Sequence, residues 1–315
     1  MAKIILAGGS GFLGQLLTQH FTARGDEVIV LTRKPTNAQS DAQQVYWDAA
    51  NPGDWVQHLE NAEALINLTG KSVNCRYHEK NKREIISSRV NATLVLGEAL
   101  QNLKNPPKLW INAASATIYR HALDRAQDEL TGELGQGFSV EVCQQWESAF
   151  FAQKTQNTRK VALRIAIVLD KAGGVMPYYL NLARFGLGGR QGNGLQCFSW
   201  IHAQDLIGSI EFLMRNPELE GVFNLASPHP VPNHHFMRTV RQALRAPIGL
   251  RATKWMLEIG ALVLGTETEL LLKSRWVVPT RLLQAGYVFN VPTIEKAVPL
   301  CVWKNGLRAD FGKTR

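Results

Sequence analysis

The fold of the amino-terminal part of this 315-residue chain is indicated by the stretch Ala7-Gly8-Gly9-Ser10-Gly11-Phe12-Leu13-Gly14. It follows an apolar run, Lys3–Ala7, which is typical of a strand buried on both faces of a parallel sheet. It opens Gln15–Arg24, whose apolar residues recur with the period of a helix, and a second apolar run, Glu27–Leu31, comes next. The glycines therefore lie in a turn within a strand–helix–strand unit.

Glycine stands at every third position of this turn, and each has its own physical reason. Gly8 allows a tight turn, Gly11 lets the backbone approach a pyrophosphate, and Gly14 permits close packing of helix on strand. The helix amino terminus adds N–H groups and a partial positive charge. This context predicts a Rossmann-type dinucleotide site, with a structural loop that binds nothing as the alternative. The predicted contacts are Gly8, Ser10, Gly11, Phe12, Leu13 and Gly14.

The end of the second strand indicates which dinucleotide is bound. Proteins that bind NAD place Asp or Glu there, because a carboxylate accepts hydrogen bonds from the ribose 2′-OH. This strand ends Leu31-Thr32-Arg33-Lys34, with two cations and no carboxylate. An arginine fork and a lysine charge suit a 2′-phosphate, so we predict NADP(H), held in part by Arg33 and Lys34. Solvated loop cations are the alternative.

Predicted strands and helices alternate as far as about residue 170. Further strands are expected at Val45–Trp47, Ala64–Leu68, Leu109–Ala113 and Lys160–Val168, and helices at Glu79–Leu103 and Ser139–Gln153. This alternation predicts an α/β fold with a doubly wound parallel sheet. We place a dinucleotide-binding domain at 1–170, its sheet completed near 198–226. A smaller, mostly helical lobe is expected at 171–315, with an amphipathic helix at Thr253–Lys273 and substrate in the cleft between the two parts.

The composition limits the possible partners. No apolar run approaches the ~18 residues of a membrane span, and the first run is too short for a signal peptide. The net charge of +9 is spread along the chain, so we predict a small-molecule substrate and no nucleic-acid partner. Four scattered cysteines predict reduced thiols in a cytoplasmic protein, and we expect a monomer or homodimer. The histidines show no metal-ligand spacing, so no metal is expected.

Several further motifs resemble one family over nearly the whole chain. They are GGSGFLG (8–14), LTRKP (31–35), INLTGKSV (66–73), SSRVNAT (87–93), WESA (146–149), ALRIAIVL (162–169), RFGLGGRQGNG (184–194), FSWIHAQDL (198–206), FNLASPHPVPN (223–233) and the tail Gly286–Ala297. Together they resemble the extended, atypical short-chain dehydrogenases/reductases. More narrowly, the chain is similar to the NADP-binding "epimerase family" proteins of bacteria and mitochondria.

The resemblance implies roles for particular residues. Thr32 and Arg33 would hold the adenosine 2′-phosphate. Further cofactor contacts are implied at Leu68, Thr69, Gly70, Glu84, Arg89 and Ile167, with Ile167 near the nicotinamide. Arg89 could instead be a solvated helix residue. Substrate binding is implied for Arg190, Gln191, Gln196, Trp200 and His202, although Trp200 and His202 could equally be core residues.

The chain departs from the superfamily at the catalytic residues. Related enzymes use a Ser or Thr together with Tyr-x-x-x-Lys, in which the lysine lowers the pKa of the tyrosine. No Tyr-x-x-x-Lys occurs in this sequence. Ser115 occupies the serine position, Tyr119 is a possible displaced acid or a packing residue, and His202 is a possible acid/base titrating near neutrality. An NADP(H)-dependent oxidoreductase or epimerase-like enzyme acting on a small polar substrate is the preferred function. A binding protein without turnover, such as an NADPH sensor or scaffold, is the alternative.

Overall fold

The computed structural model describes residues 1–36, 42–253, 255, 256, 258 and 273–302. Its strands are β1 (Lys3–Ala7), β2 (Glu27–Thr32), β3 (Gln43–Tyr46), β4 (Ala64–Asn67), β5 (Leu109–Ser115), β6 (Arg159–Ile165), β7 (Ile167–Asp170), β8 (Gly173–Gly174), β9 (Cys197–Phe198), β10 (Trp200–His202), β11 (Gly221–Leu225) and β12 (Val231–Pro232). Its α-helices are α1 (Phe12–Ala23), α2 (Glu79–Gln101), α3 (Phe138–Phe151), α4 (Met176–Arg184), α5 (Ala203–Arg215), α6 (Asn233–Leu244), α7 (Thr280–Gln284) and α8 (Ile294–Val302).

The main sheet has seven strands in the order β11-β6-β5-β4-β1-β2-β3, and every neighbouring pair is parallel. The chain winds outward from β1 in one direction as far as β3 and then returns to place β4 on the other side of β1. Ligands of such sheets bind beyond the carboxyl ends of the strands, where the winding direction reverses. The predicted doubly wound α/β fold is confirmed, and its switch point lies between β1 and β4.

Helices cover both faces of the sheet, which explains why its central strands are almost wholly apolar. One buried cluster lies between the sheet and the helices α1 and α5. The opposite cluster lies under α2 and α3, where the ring of Trp110 meets Phe150 edge-on with centroids 4.8 Å apart. Burial on both faces makes the sheet a rigid platform for the loops at its carboxyl edge.

The predicted strand Lys160–Val168 is divided in the structure. Ile165, the last residue of β6, pairs with Ser115 and Leu225 in the main sheet. After Ala166 the chain enters β7, in which Ile167 pairs with Trp200 in a separate three-stranded sheet, β10-β7-β8. A single predicted strand therefore serves two sheets, which the sequence pattern alone does not reveal.

The later part of the chain has its own core. α4, α6 and α8 enclose the rings of Tyr179, Phe198 and Phe236, and the last two stack with centroids 4.2 Å apart. The buried carboxylate of Asp205 ties the tail to α5, since it accepts hydrogen bonds from the N–H groups of Asn290 and Val291 at 2.7 and 2.8 Å.

The 198–226 segment is shared between sheets, because β11 completes the main sheet whereas β9 and β10 belong to smaller ones. The boundary at residue 170 stays a prediction. The predicted helix Thr253–Lys273 lies almost entirely outside the described residues. In the part of the chain that the structure describes, no helix is both long and apolar enough to cross a membrane.

Candidate functional site: a dinucleotide cleft at the switch point

The glycine turn places the amino terminus of α1 at the carboxyl end of β1. Gly14 lies so close to the preceding turn that a Cβ on it would stand 2.3 Å from the carbonyl oxygen of Gly9. Gly8 has a φ of +75°, a conformation that favours glycine. Gly11 differs from both, since a Cβ built on it would meet no atom within 4 Å. The turn is thus closely packed on its inner side and open at Gly11.

The opening at Gly11 is the place where a pyrophosphate fits. α1 begins there without a side-chain cap and without an acidic residue in its first turn, so its N–H groups and partial positive charge are available to an anion. Two cavities, of about 1020 Å³ and about 530 Å³, meet at this point. Both are lined by Gly8, Gly11, Leu68, Gly70, Lys71 and Ser72. The pair of cavities fits the two halves of a dinucleotide.

The end of β2 bounds the larger cavity with positive charge. Arg33 and Lys34 line the cavity and are exposed. Thr32 is buried, and its Oγ1 accepts a hydrogen bond from the Lys34 N–H at 3.3 Å, which fixes the turn that presents the two cations. The predicted phosphate-binding residues therefore lie together, at the cavity where the adenosine half of a dinucleotide belongs.

Asp48 is a carboxylate of the larger cavity that sequence reasoning missed. It follows β3 rather than β2 and lines the cavity with Trp47. Its Oδ1 accepts hydrogen bonds from the N–H groups of Ala50 and Asn51, and its Oδ2 accepts one from the Asn51 side chain. These hydrogen bonds, led by that of the Asn51 side chain, hold the pKa of Asp48 below its usual value. The carboxylate is thus engaged in its own turn.

The loop after β4 supplies the opposite wall of the larger cavity. The Thr69 N–H donates to Asn67 Oδ1 at 3.0 Å, and the Thr69 hydroxyl is buried without a hydrogen-bond partner among the described residues. Lys71, which the sequence analysis did not select, donates to Asn81 Oδ1 at 2.7 Å and pairs with Glu84. The hydrogen bond from Lys71 lowers the pKa of Glu84. Leu68, Thr69, Gly70 and Glu84 all line this cavity, as expected of cofactor contacts.

The smaller cavity is mainly aromatic and aliphatic. It lies at the ends of β5 and β6, which contribute Ser115 and Ile165, and it is lined as well by Tyr77 and Arg89. Its remaining wall comes from α3, which contributes Phe138, Ser139, Val142, Cys143 and Trp146. The Ser115 oxygen accepts a hydrogen bond from the Thr117 N–H at 3.2 Å, which leaves the hydroxyl proton available for donation.

Arg89 is a second cation of the smaller cavity, beside the Lys71 that pairs with Glu84. Its guanidinium lies over the ring of Trp146, 5.1 Å from the centroid, and its Nη1 donates to the Ile85 carbonyl at 2.9 Å. It also lies against Gly70, where a Cβ would stand 2.9 Å from Arg89 Cζ. Burial lowers the pKa of Arg89. The alternative of a solvated helix residue is therefore wrong, and Gly70 leaves the room that the guanidinium occupies.

The α3 side of the cavity offers no Tyr and Lys pair. Cys143 lines it, and burial raises the pKa of this thiol to about 12, so it stays protonated at neutral pH. Glu147, one turn later, forms a buried ion pair with Arg164 at 2.7 Å. The predicted absence of a Tyr and Lys pair thus holds on α3, which carries a protonated thiol and a paired carboxylate instead.

Two predicted catalytic residues are corrected by their positions. Tyr119 is 2% exposed and lines neither cavity. Its hydroxyl donates to Asn224 Oδ1 at 3.0 Å and accepts from Arg164 at 2.9 Å, and burial raises its pKa. His202 is 4% exposed, and its Nδ1 caps α5 by accepting from the Gln204 N–H at 3.3 Å. Both side chains are packed into the structure, so neither reaches the cleft. Ser115 alone of the three lines it.

The residues predicted to bind substrate are also placed elsewhere. Trp200 is fully buried in the core of the later lobe. Gln191 and Gln196 are buried in a hydrogen-bond network with Asn233, while Arg190 is exposed and lines neither cavity of the cleft. Ile167, predicted near the nicotinamide, lies with Gln196 at a separate small cavity, because the chain has already left the main sheet. Ile165, and not Ile167, lines the smaller cavity of the cleft.

Comparison with known proteins agrees with this geometry. Residues 4–226 match the model of the NAD dependent epimerase/dehydratase family, and residues 252–298 match a domain of unknown function, DUF1731. The chain belongs to the NAD dependent epimerase/dehydratase family. Human epimerase family protein SDR39U1 is 31% identical over 302 residues, covering 94% of this chain and 98% of the relative. Epimerase family protein YfhF of Bacillus subtilis is 30% identical over 299 residues, covering 94% and 96%.

A solved structure of this family also matches the fold. The crystal structure of human SDR39U1 (isoform 2) with NADPH has a TM-score of 0.83 and 29% identity, and covers 95% of this chain and 99% of its own. The family predicted from the motifs is therefore confirmed. Among the described residues, no group of three or more His, Cys, Asp or Glu side chains is arranged to hold a metal ion.

Proposed function

We propose that this chain binds NADP(H) in the switch-point cleft and uses it to reduce or oxidise a small carbonyl or alcohol substrate. The larger cavity gives this proposal its main support. It combines the open, uncapped amino terminus of α1 with Arg33 and Lys34, which follow β2 where NAD-binding proteins place a carboxylate. The human relative crystallised with NADPH supports the same cofactor.

The residues of the cleft divide the work of binding. The N–H groups at the start of α1 hold the pyrophosphate, and Arg33 and Lys34 neutralise the 2′-phosphate. The Ser115 hydroxyl would donate a hydrogen bond to a substrate oxygen and so hold the substrate in the smaller cavity. The apolar walls exclude water, which strengthens these hydrogen bonds. When bound, NADPH supplies a hydride for the reaction.

The shape of the smaller cavity favours a compact substrate. The rings of Tyr77, Phe138 and Trp146 give it aromatic walls, while Ser115, Ser139 and Arg89 supply polar groups. A substrate with a flat or apolar body and one carbonyl fits this lining better than a strongly polar one. We further propose that the protein acts in the cytoplasm, as a monomer or homodimer, without a nucleic-acid partner.

A binding protein without turnover is the second candidate. It is favoured by the α3 residues Cys143 and Glu147, of which one is a protonated thiol and the other is paired with Arg164. It is also favoured by the burial of Tyr119 and His202. An NADPH sensor would need only the larger cavity and the glycine turn.

The two functions are separated by a turnover screen. The native protein is mixed with NADPH and a panel of aldehydes, ketones and quinones, and the loss of NADPH absorbance is followed. The proposed oxidoreductase oxidises NADPH in the presence of at least one carbonyl compound and not without it. Tight NADPH binding with no oxidation across the panel would support the binding protein instead.

A further inference from the structure

Tyr77 is the tyrosine of the smaller cavity. It lies in the loop before α2, is half-buried, and lines the cavity together with Ser115, the last residue of β5. Its ring packs edge-on against Phe138, with centroids 4.9 Å apart. The Tyr77 ring is thereby held against the first residue of α3.

Arg89 lines the same cavity as Tyr77, and its charge acts there on the Cys143 thiol first and on the Tyr77 phenol second. The interaction is reciprocal: a phenolate would stabilise the charged guanidinium, and the guanidinium charge favours the phenolate. Arg89 is fixed in place by the Trp146 ring, the Ile85 carbonyl and the space at Gly70. The cavity thus contains a tyrosine with a positioned cation, the combination that the missing Tyr-x-x-x-Lys would have provided.

Resting on the proposed function, we propose that Tyr77 is the general acid of the reduction, with Arg89 as the residue that stabilises its phenolate. With NADPH bound, a C–H bond of the reduced cofactor would break and its hydrogen would pass with both bonding electrons, as a hydride, to the carbonyl carbon, where a new C–H bond forms while the C=O π electrons move to the oxygen. That oxygen takes the proton of the Tyr77 hydroxyl while Ser115 holds it by a hydrogen bond. The phenolate then takes a proton from solvent. NADPH is oxidised to NADP⁺ and the carbonyl compound becomes an alcohol.

The test uses Tyr77→Phe, which keeps the ring and its packing on Phe138 and removes only the hydroxyl. Phenanthrenequinone, a flat carbonyl compound suited to an aromatic cavity, serves as the substrate probe. We expect the kcat of Tyr77→Phe to fall by ~100-fold, as when a general acid is lost. The Kd for NADPH, measured by calorimetry, should change by less than about twofold, which also shows that the variant folds. Tyr178→Phe is the matched control, since Tyr178 is 60% exposed on α4, outside both cavities, and its variant keeps native activity.

A second measurement does not depend on turnover. Tetranitromethane nitrates accessible tyrosines, and mass spectrometry locates the modified residue. Tyr77 should be nitrated in the free protein and protected when NADPH saturates the cleft, whereas Tyr178 should be nitrated equally in both states. Equal nitration of Tyr77 with and without NADPH would overturn its position beside the cofactor.

The outcomes distinguish the two proposals. Native protein that reduces the quinone, with Tyr77→Phe doing so at the native kcat, overturns the role of Tyr77 and leaves the oxidoreductase function standing. Native protein that binds NADPH but oxidises it with no compound of the carbonyl panel, the quinone included, overturns the oxidoreductase function and the role of Tyr77 with it.

Discussion

The glycine turn allows a test in which binding and stability respond separately. Gly11 has an ordinary φ of −80°, and a Cβ there would meet no atom within 4 Å. Gly11→Val replaces only a glycine N-cap by a poorer one, so it should change the free energy of unfolding by no more than about 1 kcal/mol. The same side chain would project into the opening proposed for the pyrophosphate, so NADPH affinity should fall by at least about 100-fold, or about 2.7 kcal/mol.

The predicted loss of NADPH affinity can be measured by urea unfolding with and without the cofactor. NADPH at about 100 times its native Kd should stabilise the native protein by about 2.7 kcal/mol. For Gly11→Val at the same concentration, a 100-fold weaker Kd leaves only about 0.4 kcal/mol. Gly14→Ala is the contrasting variant, because its Cβ would stand 2.3 Å from the Gly9 carbonyl oxygen and should destabilise the fold itself. A Gly11→Val protein that keeps the full NADPH stabilisation would show that the phosphates bind elsewhere.

Two further predictions concern groups that the structure buries. His202→Gln should cost about 1 kcal/mol in urea unfolding, because the α5 cap is lost, with turnover kept within about threefold of native. Burial lowers the pKa of His202 from 6.5, so its neutral form contributes stability above pH 6.5 that is lost as pH falls below it, and the variant should lack this loss. A 100-fold drop in turnover, or an unchanged pH dependence, would contradict this placement. Glu147→Gln should cost about 3 kcal/mol, because Arg164 is left buried without its counter-charge. The exposed Glu141→Gln on the same helix should cost under about 0.5 kcal/mol, and equal losses in the two variants would refute the argument.

The sequence predicted those parts of the site that depend on local chain order. A glycine turn between a strand and a helix, and the residues that follow the next strand, are fixed by the geometry of the strand–helix–strand unit. Arg33 and Lys34, which follow that strand, therefore lie at the larger cavity as the sequence predicts. The parallel sheet was predictable for the same reason, since alternating elements allow few other arrangements.

The smaller cavity was predicted less well, because long-range packing determines it. Ile165 and Ile167 belong to one apolar run, but the chain changes sheets at Ala166 between them. For this reason Ile165 lines the smaller cavity and Ile167 does not. Trp200 and His202 lie in a motif shared with the family, yet their side chains are buried. Tyr77 gave no signal, since it is in a loop and reaches the cavity only because Phe138, 61 positions later, packs against it.

Arg33 and Lys34 are proposed to select the phosphorylated dinucleotide. This selection can be measured by calorimetry of the native protein with NADPH and with NADH, with Arg33→Asp as the variant. Lys104→Asp is the control. It makes the same charge change in the loop that precedes the amino end of β5, whereas the cleft lies at the carboxyl ends of the strands. We predict that the native protein and Lys104→Asp bind NADPH at least about tenfold more tightly than NADH, a difference of about 1.4 kcal/mol, and that Arg33→Asp loses this preference. Equal affinities of the native protein for the two cofactors would contradict the claim.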